Sequence, residues 1–138
     1  MTRRYLGMEY DWVAADALGR VALFSTAGFG PLPEWAFDQY QAINHLLCLP
    51  IIAVRVDEGP VVDEAWLALV ARGIPSFDWN DHYYVRTTTP SSFANVRDMS
   101  VELRTLFASA RLDAPANWEE MSIVNSVHLG LGPFHGYR

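Results

Sequence analysis

The chain has 138 residues, 51% of them hydrophobic and 19% charged, which predicts one folded domain of ordinary size and excludes a disordered chain. The formal net charge is −6 and the basic residues are scattered, so nucleic acid is not expected as a direct ligand. All ten basic residues are Arg, which excludes catalysis by a lysine of this chain, and we interpret the bias as that of a GC-rich bacterial genome.

The single cysteine, Cys48, rules out an internal disulfide, so the chain does not need an oxidising compartment. The longest apolar run, residues 46–54, is interrupted by Pro50 and is too short to cross a bilayer. The N-terminus lacks the apolar stretch of a secretory signal. We therefore predict a cytoplasmic protein without a membrane partner.

Two β-prone runs, residues 10–15 and 21–25, flank a turn that contains Gly19, which predicts a hairpin. Helical spacing of apolar residues follows and predicts a helix over residues 34–49 that ends before the next proline. Residues 51–56 are expected to form a short strand or an extended connector.

The second half of the chain also contains patterns that predict helices and strands. An apolar stripe with acidic residues in its first turn and a glycine after its end predicts another helix. A second hairpin, a third helix and a last strand follow, and the C-terminal tail is expected to be irregular and flexible. The predicted bounds are helix 62–72, strands 74–79 and 82–88, helix 101–110, strand 122–127 and tail 130–138.

The predicted order is ββ-α-α-ββ-α-β over a single domain, residues 1–138. Hairpins imply antiparallel pairing, so we expect an α+β fold in which an antiparallel sheet packs with about three helices. Alternation in the first strand places Tyr10, Trp12 and Ala14 on one face and Asp11 with Val13 on the other, which is compatible with a sheet covered on both sides.

The sequence motifs that would indicate phosphate binding or metal binding are incomplete. The loop at Gly28-Phe29-Gly30 lacks the third glycine of a dinucleotide fingerprint, so a structural connector is the better interpretation. No two histidines have metal-ligand spacing, and Cys48 has no second cysteine, so we predict no metal and no cofactor. His45 and Cys48 are three residues apart on the predicted first helix, where ordinary packing explains them.

Polar and aromatic residues are densest around the turn of the second hairpin. Aromatic anchors with a charged rim are typical of a binding surface. An acid/base site and a plain solvated turn with aromatics in the core are the alternatives. The candidate binding residues are Asp78, Trp79, Asp81, His82 and Tyr84.

Residues 10–33, reading YDWVAADALGRVALFSTAGFGPLP, combine a strand, a D-x-x-G turn, a second strand, a small-residue loop and a proline. Together with residues 77–84, Pro90 and residues 98–104, this pattern resembles small uncharacterised bacterial proteins, some of which are regarded as immunity proteins. The resemblance implies neutralisation of a toxin by binding, and it assigns no catalytic residue.

We therefore expect a non-enzymatic protein-binding module of the immunity type, with a basic toxin or another protein as its partner. The alternative is a small hydrolase or ligand-binding enzyme whose site is assembled from distant residues near Asp78, Asp81 and His82. A third option is a homodimer that uses exposed aromatic residues for self-association.

Overall fold

Five strands form one mixed sheet in the computed structural model of the chain, which describes residues 9–39, 41–60, 63–112, 117–125 and 129. The strands lie in sequence order, and β2 runs parallel to β3 while the other neighbours are antiparallel. The single α+β domain and both predicted hairpins are confirmed, but the purely antiparallel sheet is wrong because a parallel pair joins the hairpins. The strands are β1 (Asp11–Ala15), β2 (Val21–Ser25), β3 (Ser76–Trp79), β4 (Tyr84–Thr88) and β5 (Ile123–Val124).

Three α-helices accompany the sheet in the described part of the chain: α1 (Ala42–Leu46), α2 (Glu64–Val70) and α3 (Val101–Ser109). Side-chain caps fix where α2 and α3 begin, since Asp63 accepts the N–H of Ala65 and Ser100 accepts the N–H of Leu103. These two helices confirm the sequence prediction within a few residues. Two short 3₁₀ helices, Glu34–Asp38 and Val96–Asp98, complete the set.

The continuous helix predicted over residues 34–49 is wrong. The chain forms a 3₁₀ helix and then the five-residue α1, and Gln41 between them takes a left-handed φ of 59°. A tertiary contact causes this break in the helix. The amide of Gln39 accepts the N–H of Val13 and donates to its carbonyl, so it pairs with β1 like a neighbouring strand.

The Gln39 contact also occupies backbone hydrogen-bonding groups on the outer edge of β1. Further along the strand, the N–H of Ala15 donates to the carbonyl of Ala110, and the carbonyl of Ala15 accepts the N–H of Leu112. An unpaired edge invites another strand to add to a sheet. Because these groups are already paired, we do not expect a partner to bind by extending the sheet at β1.

The sheet is buried on both faces, as the alternation in β1 predicts. One face carries a mainly aromatic core in which Trp12, Phe24 and Trp118 are fully buried. The other face carries Val13 and Leu23 against the three α-helices. Stacked and edge-to-face ring contacts link the aromatic core, with ring centroids 4.5 Å apart for Trp12 and Phe24.

Residues 51–56 form an extended connector, the second of the two expected forms, with one antiparallel bridge between Arg55 and Pro90. The predicted last strand is shortened to β5, and part of its range lies outside the described residues. The predicted flexible tail, residues 130–138, also lies outside them. Among the described helices, none has the length and apolar character needed to span a bilayer.

Candidate functional site

The two aromatic residues of the predicted site belong mainly to the core. Tyr84 is fully buried, and its hydroxyl donates to the carbonyl of Pro31 at 2.7 Å while it accepts from Nε1 of Trp12 at 3.3 Å. Trp79 is half-buried and packs edge-on against Tyr84, with centroids 5.2 Å apart. Tyr84 therefore cannot contact a partner, and Trp79 offers only part of its ring.

Asp81 and His82 are exposed at the tip of the β3–β4 hairpin. The side chain of Asn80 shapes this turn because its Oδ1 accepts the N–H groups of both His82 and Tyr83. Asp81 takes a φ of 83°, in the left-handed region that Asp tolerates better than most residues. The tip is accessible, but its geometry is that of an ordinary polar turn.

The acid/base alternative needs Asp78, Asp81 and His82 to converge. Asp78 lies in β3 and is half-buried, whereas the other two side chains are exposed at the hairpin tip. The described His, Cys, Asp and Glu side chains also form no group of three that could hold a metal ion. The geometry therefore gives the hydrolase hypothesis no support at these residues.

His45 and Cys48 line one surface pocket of about 340 Å³ together with Glu102 of α3. Both side chains are exposed, so the packing role expected for them is wrong.

Asp78 instead belongs to a row of polar residues that crosses three strands. Asp11 of β1 pairs with Ser25 of β2, and Ser25 pairs with Asp78 of β3. Directly paired residues point to the same face of a sheet. Two half-buried carboxyl groups therefore flank the fully buried hydroxyl of Ser25. Sequence reasoning could not predict this row, because its members are distant in the chain.

Burial raises the pKa of the Asp11 carboxyl, and the negative charges of Asp63, Glu9 and Asp78 raise it further, while the Ser25 hydroxyl opposes the rise. Burial raises the pKa of Asp78 too, and the charge of Glu9 adds to it. The surroundings of both acids therefore disfavour their charged form.

Asp11→Asn is expected to stabilise the protein, and more so at pH 7.5 than at pH 4.5. The pKa of Asp11 is higher in the folded than in the unfolded chain, so wild-type stability is lost as pH rises above the unfolded value of about 3.9. Urea unfolding of both proteins at the two pH values measures the difference. Asp38→Asn, at an exposed position, is the control, and an equal effect of Asp11→Asn at both pH values would contradict the burial argument.

A second surface feature is apolar. In the extended connector, Ile52, Val54 and Val56 point outward and are 47%, 67% and 56% exposed. We call these three residues the apolar ridge. The residues that alternate with them point inward, and two of these, Arg55 and Asp57, are charged. The usual arrangement, with apolar side chains inside and charged ones outside, is thus reversed.

Hydrogen bonds hold the ridge in this orientation. The N–H of Ser91 donates to the carbonyl of Val54 at 2.8 Å, and the N–H of Val56 donates to the carbonyl of Thr89 at 2.9 Å. Arg55 donates to the Asp57 carboxylate at 2.8 Å. Burial acts to raise the pKa of Asp57, but hydrogen bonds from Arg55 and the Thr89 N–H lower it below its usual value.

A pocket of about 130 Å³ adjoins the ridge at Ile52. Its apolar wall includes Leu49, Phe93 and Met99, and Arg72 and Asp98 lie at its border. A pocket next to exposed aliphatic side chains is where a partner places an anchoring side chain. Sequence reasoning missed this surface because an apolar run predicts burial. The only signal was the alternation of Val54 and Val56 with the charged residues Arg55 and Asp57.

No protein family model, curated protein sequence or solved structure matches this chain. The resemblance to immunity proteins therefore stays a prediction.

Proposed function

We propose that this chain is a non-enzymatic protein-binding module and that the apolar ridge is its main contact surface. The observation that carries the proposal is the reversed polarity of residues 52–57, where Ile52, Val54 and Val56 face solvent while Arg55 and Asp57 face the protein. Soluble proteins rarely place a contiguous row of large aliphatic side chains in water unless a partner covers it.

The free energy available from covering the ridge is substantial. Fully burying a Val or Ile side chain contributes about 1.5–3 kcal/mol, and the ridge carries three of them. The backbone around Val54 and Val56 is already fixed by its bonds to residues 89–91. A partner would therefore meet an ordered surface, which reduces the entropy lost on binding.

We propose a basic protein as the occupant. The chain has a formal net charge of −6, and exposed Glu58 follows the ridge directly. An apolar contact on an acidic protein suits a partner whose apolar patch is ringed by Lys or Arg, and the charge speeds their association. A basic toxin has this character, so the immunity interpretation remains our specific proposal. It implies a cytoplasmic location, where the exposed thiol of Cys48 stays reduced.

Photo-crosslinking in the producing cells tests the proposal. A benzophenone amino acid at Val54 is expected to form one main adduct, with a protein of net positive charge. The control carries the same amino acid at Val101 of α3, which has the same side chain and is 57% exposed. It is expected to give no such adduct.

Three other outcomes would contradict the proposal. An adduct between two copies of this chain would show that the ridge is a homodimer interface and would overturn the assignment of a basic partner. Adducts of equal yield from Val54 and Val101, or none above background at Val54, would overturn the ridge as a contact surface.

A further inference from the structure

We propose that the pocket beside Ile52 holds an aromatic side chain of the partner, and that a Lys or Arg of the partner next to this ring pairs with Asp98. The inference deepens the proposed function and rests on it for the source of the ring, a basic protein that covers the apolar ridge. The preference of the pocket for a ring beside a cation follows from its own residues and is testable without the partner.

The pocket has the size and lining of a site for one ring. Its volume is about 130 Å³, and apolar cavities of about 150 Å³ bind benzene. Its apolar walls include Phe93 and Met99. A second ring and a thioether both make contacts with an aromatic group that add to the burial of apolar area. These walls therefore suit an aromatic occupant.

Hydrogen bonds fix the backbone around the pocket. The N–H of Ile52 donates to the carbonyl of Ala71 at 3.0 Å, and the hydroxyl of Ser92 donates to the carbonyl of Ile52 at 3.1 Å. The N–H of Ala94, another lining residue, donates to the carbonyl of Gly73 at 2.9 Å. Because the walls are already ordered, a side chain that enters the pocket costs them little entropy.

A fixed guanidinium favours an aromatic ring over an aliphatic side chain. Nε of Arg72 donates to the carbonyl of Leu49 at 2.9 Å, and its Nη1 donates to the carbonyl of Ala68 at 2.8 Å. These two bonds hold a half-buried guanidinium at the border of the pocket. A guanidinium stacks on aromatic faces and attracts a ring within about 6 Å. An aliphatic side chain gains nothing from it.

The charge at the border favours a cation beside the ring. Asp98 lines the pocket with a side chain that is 75% exposed. Its one ion pair within the described residues joins it to Nε of Arg97 at 4.0 Å, which leaves the carboxylate accessible to a second cation. The carboxylate and the net charge of −6 also disfavour an aromatic acid as the ligand, although Arg72 is nearby. Lys or Arg beside the aromatic residue matches this arrangement.

The test is an NMR titration of the full chain with the tripeptide N-acetyl-Lys-Phe-Lys-amide. We expect saturable shifts at the amides of Ile52, Ala94 and Met99, with a Kd on the order of 1 mM. Cyclohexylalanine in place of Phe fills similar space without an aromatic face, and it is expected to weaken binding about threefold. Glu in place of both Lys residues is expected to weaken binding at least about threefold.

Two positions of the apolar ridge supply matched variants. Ile52 lines the pocket, whereas Val54 lies outside its lining. Ile52→Ala is therefore expected to weaken binding of the tripeptide at least about threefold, and Val54→Ala should leave it unchanged. Both side chains are exposed, so neither truncation is expected to unfold the chain.

The proposal is overturned if no saturable shifts occur up to the solubility limit of the tripeptide, or if the cyclohexylalanine or Glu peptide binds equally well. Equal losses in the Ile52 and Val54 variants would also overturn it. Tighter binding of 2-phenylethylamine than of the tripeptide would assign the pocket to a small free amine instead of a protein side chain. The titration needs no partner, so its failure leaves photo-crosslinking at Val54 as a separate test of the proposed function.

Discussion

Asp16→Ala is expected to lower the free energy of unfolding by about 3–5 kcal/mol, because it removes the carboxylate of a buried charged pair. Asp16 is fully buried. Its Oδ1 accepts the N–H groups of Leu18 and Arg20 at 3.0 and 2.9 Å. Its Oδ2 accepts Nε of Arg20 at 3.0 Å and the N–H of Trp118 at 3.1 Å.

The carboxylate thus joins the β1–β2 turn to a segment about a hundred residues further along the chain. In the alanine variant, the Trp118 N–H and Nε of Arg20 lose their acceptor in a buried place. Trp118 itself is fully buried in the aromatic core, where its Nε1 donates to the carbonyl of Ala14 at 3.2 Å. The loss is therefore expected to loosen the core as well as the turn.

Urea unfolding followed by tryptophan fluorescence measures this effect. Asp98→Ala is the control, because Asp98 and Arg97 form an exposed pair with atoms 4.0 Å apart, and its loss should cost less than about 1 kcal/mol. If Asp16→Ala is no more destabilising than Asp98→Ala, the prediction is contradicted, because the four hydrogen bonds then do not stabilise the contact between the turn and the Trp118 segment.

Gly73→Ala is expected to lower the free energy of unfolding by about 2–4 kcal/mol, from backbone strain and overlap together. Gly73 follows α2 with a φ of 84°, where a side chain is disfavoured. A Cβ at this position would lie 2.5 Å from the backbone nitrogen of Ala94 and 3.0 Å from the carbonyl oxygen of Ser92. Neither backbone atom can move away without shifting the loop.

The shift would reach the apolar ridge. The N–H of Ala94 donates to the carbonyl of Gly73, and the hydroxyl of Ser92 donates to the carbonyl of Ile52. Gly59→Ala is the matched control in a thermal or urea unfolding experiment, because a Cβ there meets only Asp57 Oδ2 at 3.9 Å. Equal stability of the two alanine variants would contradict the strain argument.

Local patterns were sufficient to predict the hairpins and two of the helices. Gly19 takes a φ of 87° between β1 and β2, as the turn between two β-prone runs requires. Caps and apolar spacing placed α2 and α3 correctly because those signals act within one turn of the helix.

The features that the sequence did not predict depend on contacts between residues that are far apart in the chain. Gln39 leaves a helical pattern because its amide pairs with Val13 of β1, 26 residues away. The parallel pairing of β2 with β3 likewise joins strands about fifty residues apart, and hairpin signals say nothing about it. Parallel strands are usual in sheets that are covered on both faces, and here the cover comes from the helices and the Trp118 segment.

The candidate site was predicted least well, for two physical reasons. The sequence does not distinguish an aromatic residue of a binding surface from an aromatic residue of the core when both lie near a turn. Tyr84 belongs to the core. The apolar ridge was not predicted, because an apolar run such as residues 51–56 is expected inside the protein. Asp78 was selected together with its neighbours in the hairpin turn, but its neighbours in space are Ser25 and Asp11.

The affinity of this chain for the partner crosslinked at Val54 tests the central claim most directly, when it is measured by titration calorimetry for the wild type, Val54→Asp and Val101→Asp. The account predicts that Val54→Asp weakens binding at least about tenfold, a loss of about 1.4 kcal/mol, since a charge replaces a buried apolar contact. Val101→Asp should bind like the wild type. Equal affinities of Val54→Asp and the wild type would contradict the apolar ridge as the binding surface.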